Sequence, residues 1–320
     1  MSAAVTAVGL AVPGAHQPTD LVTGTAAEAE PVDPAARIGK KGLRYQDRAT
    51  QLALCAARDA LNAAGLMLGD ARRQGPGAPS VNAQLTVPAG SIAVVVSSNF
   101  GNFDSVCEVV TGIAEDRGTR LVSPVLAPRL SSNVTASEVA IRCGLRGPNV
   151  MLCNGEPSGL DAVHWAVTLL TSGRARHVLV VGVEPGTAVV RRLTGQASPF
   201  DGAAALVLET TATASAREAT VVAEIGQYAR AGSLGVCLSE LTGTAAAWFA
   251  PQDAPAGVLP GVPRHALADR WGHASGALGV LQCAAAVGHF AAGGEGPVYA
   301  VSGDADDAVA GVVLTAGSAA

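Results

Sequence analysis

Gly147-Pro148-Asn149-Val150-Met151-Leu152-Cys153-Asn154-Gly155-Glu156-Pro157-Ser158-Gly159-Leu160-Asp161-Ala162 reads as an apolar strand, a tight bend and the start of a helix. Gly155, Pro157, Ser158 and Gly159 are turn formers, and the run beyond them is rich in Ala, Val and Leu. A strand-to-helix elbow exposes one side chain beside free backbone N–H groups, a geometry suited to a nucleophile. The residue at that point is Glu156, and a carboxylate is a poor acyl-transfer nucleophile. A carboxylate buried there also needs a partner or a raised pKa. Two partners are open from sequence: the elbow's own N–H groups, or a charged residue across an interface.

Outward from the elbow, strands and helices alternate. Residues 3–13 predict a first strand, followed by a polar loop to about residue 35. Residues 46–65 predict a helix that buries Ala53, Leu54, Ala57, Ala60, Leu61 and Ala64 and ends at Gly65. Residues 68–87 are rich in Pro and Gly and predict a surface excursion. Ser91–Ser98 and His177–Val183 are continuously apolar, as expected of strands buried on both faces. Helices are expected over 105–116, from Asn133-Val134 to Cys143, and over 160–170. Residues 201–210 predict a strand with Val221–Ala229 as its hairpin partner. His273–Val287 predicts a small-residue helix with His273 capping its first turn or bonding a carbonyl. Strands at 297–302 and 308–316, joined by residues 303–307, close the chain. The alternation predicts an α/β fold with helices outside the sheet. The elbow helix and the His273 helix hold comparable places, which suggests two pseudo-duplicated halves, 1–210 and 211–320.

Composition bounds the function. The chain has 320 residues, 49% hydrophobic and only 15% charged, so a large core lies under a thin polar surface. The net charge is -5, which argues against a nucleic-acid groove. Arg37, Lys40, Lys41, Arg44 and Arg48 form the one noticeable basic cluster, expected on a solvated face or loop. The six cysteines (Cys55, Cys107, Cys143, Cys153, Cys237 and Cys283) show no CxxC and no metal-ligand spacing, so no metal or cofactor is expected. Neither a signal peptide nor a membrane span is read from the sequence, and the expected location is cytoplasmic.

Several blocks resemble the β-ketoacyl-acyl carrier protein synthases, condensing enzymes with the thiolase-like layered αβαβα fold. They are Leu121-Val-Ser-Pro124 through Asn133, Gly144-Leu-Arg-Gly-Pro148, Ser158-Gly-Leu-Asp-Ala162, Gly182-Val-Glu184, Ser198-Pro-Phe-Asp201, Ala205-Leu-Val-Leu-Glu209 and Gly272-His-Ala-Ser-Gly-Ala-Leu-Gly279. The resemblance puts the family's acyl-accepting cysteine at Glu156, with Cys153 three residues too early to replace it. One catalytic histidine is kept as His273. The lysine five residues before it corresponds to Ala268. The other histidine heads a His-Gly-Thr-Gly-Thr loop, and the nearest segment is Glu240-Leu-Thr-Gly-Thr244, which puts Glu240 at its place.

Condensation needs a nucleophile that holds the acyl chain and donors for the enolate. Losing these groups together resembles the family's chain length factor branch, a non-catalytic subunit that pairs with an active ketosynthase and shapes an acyl tunnel. The short chain and the Glu resemble factors of highly reducing or polyene type II polyketide systems. The resemblance implies an interface strand at Asn149, Val150, Met151, Leu152, Cys153 and Asn154. It implies tunnel gates among Phe100, Phe103, Val106, Cys107, Val110 and Leu130. The implied partners are a ketosynthase subunit and, mainly through it, an acyl carrier protein, to whose docking the Arg37–Arg48 cluster adds at most a minor contribution. The alternatives are a malonyl-carrier-protein decarboxylase and an acyl-binding protein without a ketosynthase partner.

Overall fold

A computed structural model describes residues 3–24, 29–68, 84–116, 118–120, 122–303 and 307–317. Most of the excursion expected over 68–87, the start of the 121–133 block at Leu121 and most of the 303–307 connection lie outside the described residues.

The strands are β1 (Ala3–Ala11), β2 (Met67–Leu68), β3 (Gln84–Leu85), β4 (Ile92–Ser97), β5 (Asn149–Leu152), β6 (His177–Glu184), β7 (Gly202–Thr210), β8 (Ala223–Ala231), β9 (Ala247–Phe249), β10 (Arg264–His265), β11 (Val298–Gly303) and β12 (Val309–Ala316). The helices are α1 (Pro18–Thr23), α2 (Pro34–Ile38), α3 (Arg48–Ala63), α4 (Phe103–Asp116), α5 (Val134–Cys143), α6 (Ser158–Thr171), α7 (Ala188–Thr194), α8 (Thr211–Ala216), α9 (Leu234–Glu240), α10 (Ala268–Trp271) and α11 (Leu278–Ala291).

Apart from the β2–β3 ribbon, these strands form a ten-stranded mixed sheet in the order β10-β9-β11-β12-β8-β1-β7-β6-β4-β5. It splits into two five-strand runs with one plan. In the first, β4 is parallel to β5 and β6, and β7 is antiparallel to β6 and β1. In the second, β9 is parallel to β10 and β11, and β12 is antiparallel to β11 and β8. Strand for strand in chain order, both runs have the third, second, fourth, fifth and first side by side. Among the described residues the two runs pair through Ala3–Val5 of β1 and Ala223–Ile225 of β8.

Burial follows from this arrangement. One face of each run packs on α6 and α11, so Val95, Leu206, Ala300 and Val312 share a core with Ala162, Ala166 and Ala284. The opposite face of the first run packs on α3 and α5. That of the second packs on α9 and the segment after β9. The result is the expected α/β layering, with helices between and outside two sheet layers.

Local expectations need four corrections. The loop expected before residue 35 contains α1, whose Pro18 and Asp20 sit in the first turn, where a fixed φ and an acidic side chain suit a helix start. β7 and β8 are not a hairpin. Both run antiparallel to β1, which lies between them, so they are parallel and need a crossover. The C-terminal helix starts at Leu278, after a 3-10 turn at Ser275–Ala277, which leaves His273 outside it. The basic cluster is partly engaged: Arg48 pairs with Asp201 at 2.7 Å, and Arg37 pairs with Asp59.

Candidate functional site

The elbow is held by side chains that leave Glu156 free. Gly155 has φ of 86°, a conformation that favours glycine, and a β-carbon there would collide with Asp307 Oδ2. The buried Ser158 hydroxyl donates to the Gly155 carbonyl at 2.6 Å and accepts from the Asn154 N–H at 2.9 Å. Asn99, just past β4, donates from Nδ2 to that same carbonyl at 2.9 Å and to Ser275 Oγ at 2.8 Å. Asp161, in the first turn of α6, accepts from the side chains of Asn154, Tyr228 and Arg230. These contacts tie the bend to both halves.

Behind the bend lies Glu184, at the end of β6 and 1% exposed. It accepts from the N–H groups of Asn99 (2.7 Å), Phe100 (3.0 Å) and Gly276 (3.1 Å), and from Ser98 Oγ (3.0 Å). Burial pushes its carboxyl up to about 8 against the pull of those donors. Glu184 thus fastens the ends of β4 and β6 to the turn before α11.

Glu156 and His273 meet in front of this frame. His273 Nε2 is 2.8 Å from Glu156 Oε1, with side chains only 14% and 12% exposed. His273 is held by its main chain and by its ring. Its backbone N–H donates to the Ser198 carbonyl at 3.1 Å, and its carbonyl accepts from the Phe200 N–H at 3.0 Å. Its Nδ1 contacts the side-chain amide nitrogen of Gln196. A carboxylate only accepts, so in this pair the imidazole Nε2 is the donor and Glu156 the acceptor. Within this chain the partner of Glu156 is thus His273 and not the elbow amides, and His273 lies before the 3-10 turn that leads into α11 and does not cap that helix.

The other implied positions fall as follows. Ala268 opens α10 and offers only a methyl group. Glu240 is not brought to the pair. It ends α9, before β9, where its carbonyl accepts from Gln227, and its neighbours Cys237 and Leu241 belong to the outer core of the second half. α9 packs on the outer face of the second run, whereas the turns that meet at the elbow follow strands. Phe100 and Phe103 touch edge to face at 5.3 Å. Val106 and Cys107 are half-buried, while Val110 and Leu130 are 59% and 36% exposed. β5 is an edge strand, with Val150, Met151 and Leu152 half-buried and Asn149, Cys153 and Asn154 exposed. Asn99, Gln196, Ser275 and Asp307 were not singled out from sequence; the only signal was their closeness to the quoted blocks.

At the elbow position the side chain is a carboxylate, and the His273 imidazole beside it is engaged with that carboxylate. Among the described residues no group of three or more His, Cys, Asp and Glu is placed to hold a metal ion, and no helix is long and apolar enough to cross a membrane.

Residues 10–200, more than half the chain, match the family profile described as β-ketoacyl synthase, N-terminal domain. A curated relative, 3-oxoacyl-[acyl-carrier-protein] synthase 2 of Staphylococcus aureus, is 28% identical over 219 residues, covering 61% of this chain and 49% of the relative. The chain thus spans about half the length of the curated relatives it matches. Among solved structures, the ishigamide ketosynthase/chain length factor superposes with a TM-score of 0.77 at 20% identity, over 99% of both chains. The AntDE:AntF complex, a type II PKS acyl-carrier protein with its ketosynthase bound to the hexaketide, gives 0.73 at 16% identity, over 98% of this chain and 99% of the other. At these identities the two structures speak for the fold.

Proposed function

The chain belongs to the β-ketoacyl synthase family, and from that membership we propose that it is a non-catalytic chain-length subunit, paired with a cysteine-bearing ketosynthase in a type II polyketide system of the highly reducing or polyene kind. This reading rests on one contact. The elbow position where the resemblance expects the acyl-accepting cysteine holds Glu156, and that carboxylate is bonded to the retained His273. With Ala268 in place of the lysine, the site offers neither acyl loading nor enolate stabilisation.

In this reading the uncharged edge strand Asn149–Asn154 pairs with the ketosynthase. An open strand edge without Lys, Glu or Pro favours such pairing. Phe100, Phe103, Val106, Cys107, Val110 and Leu130 then border a shared tunnel, whose size selection is steric. The acyl carrier protein docks mainly on the partner, in the cytoplasm, and the halves divide near residue 210. Malonyl decarboxylation fits less well, because the Glu156 carboxylate at the elbow would repel the malonyl carboxylate.

Co-expression with candidate ketosynthases, followed by native mass measurement, tests the proposal. The expected result is a 1:1 complex in which acyl groups load only on the ketosynthase. A stable monomer that ignores every ketosynthase, or acetyl-carrier-protein production by the purified chain, overturns it.

A further inference from the structure

The Glu156 contact has the form of a receptor with its ligand attached. His273 supplies a directed Nε2 donor, and the Gln196 side-chain amide contacts its other ring nitrogen. Backbone bonds to Ser198 and Phe200 fix the main chain of His273 without using Glu156, and the Gln196 contact adds a second hold on the ring. The fourteen-residue helix α6 begins two residues after Glu156. None of the bonds that shape the bend, from Ser158, Asn99 and Glu184, uses the Glu156 side chain. Removing that side chain would leave the frame standing and the donor unfilled.

From this geometry we infer that the elbow is a binding site for a small carboxylate, filled in the native chain by Glu156 itself. The internal ligand closes the elbow to acyl thioesters, since a thioester carbonyl would need the same His273 N–H. A chain lacking it accepts a free monocarboxylate of acetate or formate size, because the vacated space equals the end of one glutamate. Four heavy atoms limit the affinity to roughly the millimolar range. The inference stands on the elbow alone and does not require a ketosynthase partner, so it fails or holds independently of the proposed function.

The test compares thermal unfolding of the full chain and of its Glu156→Gly and Glu156→Ser variants in about 0.1 M sodium acetate and in sodium chloride of equal ionic strength. Acetate is expected to raise the Tm of either variant by several degrees over chloride, in a saturable way, and to leave the native chain unchanged. Glu156→Gln, which fills the space without the charge, should not respond. Adding His273→Phe to Glu156→Ser should abolish the effect. An equal response in acetate and chloride, a response of the native chain, or a response that survives loss of the imidazole overturns the inference.

Discussion

His273 Nε2 stands 2.8 Å from Glu156 Oε1, joining residues 117 positions apart that each precede a central helix, α11 and α6 respectively. The helices bring them together by backbone contact. A β-carbon at Gly159 would lie 2.7 Å from the Gly279 nitrogen, and one at Gly279 would collide with the Leu160 nitrogen. No side chain fits between them, so the register of the two halves is set where the two glycines meet.

Alanine at Gly159 or Gly279 is therefore expected to destabilise the fold by about 3 kcal/mol, the upper part of the usual overpacking cost. At Gly112, in α4, a β-carbon would have nothing within 4 Å. There alanine should stabilise by up to about 1 kcal/mol through helix propensity. Urea unfolding of the three variants checks this. Equal effects at all three sites would mean that the crossing is loose.

A thiol placed at the elbow reports on the site's latent chemistry. In Glu156→Cys the new thiol lies beside the His273 imidazole and before the α6 N-terminus, both of which favour thiolate. The exposed native Cys153 is an internal control, since partial burial pushes its thiol up. Iodoacetamide should label position 156 faster than Cys153, read by peptide mass spectrometry. Condensation should still be absent, because Ala268 brings no lysine. Slower labelling at 156 would show that the elbow does not activate a nucleophile.

Much of this was written in local sequence. The apolar period of α3 and the unbroken runs of β4 and β6 stand out because burial there is set by near neighbours. What was hidden depends on distant ones. β1 separates β7 from β8 only because the N-terminal strand returns to pair with residues some two hundred positions later. The Glu156 partner was hidden for the same reason, as no spacing rule links Glu156 to His273. Glu240 lies at the end of α9, and no local pattern shows whether such a helix end reaches the elbow.

Glu209 tests the buried charges of the first half. Burial raises its pKa, but Arg217, His177 and Thr6, in that order, outweigh it and bring the carboxyl down to about 2. A depressed carboxylate contributes stability that is complete above its unfolded value of 4.5 and is lost as pH falls toward 2. Arg217→Met leaves Glu209 buried with one cationic partner fewer and should cost about 3–5 kcal/mol at neutral pH. Its acid unfolding, followed by circular dichroism, should begin at higher pH than in the native chain. An unchanged acid limb would show that the ion pair contributes nothing to the fold.

Glu184 has the opposite sign. Its carboxyl is raised from 4.5 to about 8 by burial, so the native state favours the protonated form. The contribution is fully present below pH 4.5 and is lost as pH rises through 8. Three of its four donors are backbone N–H groups that cannot turn round, so a proton on Glu184 must be accepted by the Ser98 hydroxyl. Glu184→Gln keeps the shape, does not titrate and leaves one N–H facing an amide, at a cost of about 1–3 kcal/mol. Urea midpoints of the native chain and the variant, measured from pH 4 to pH 9 (about the span of the two pKa values), should differ most at the acid end and converge toward the alkaline end. A difference that stays constant over that range would mean the four donors keep Glu184 ionised throughout, and the frame behind the elbow would then be a fixed negative charge.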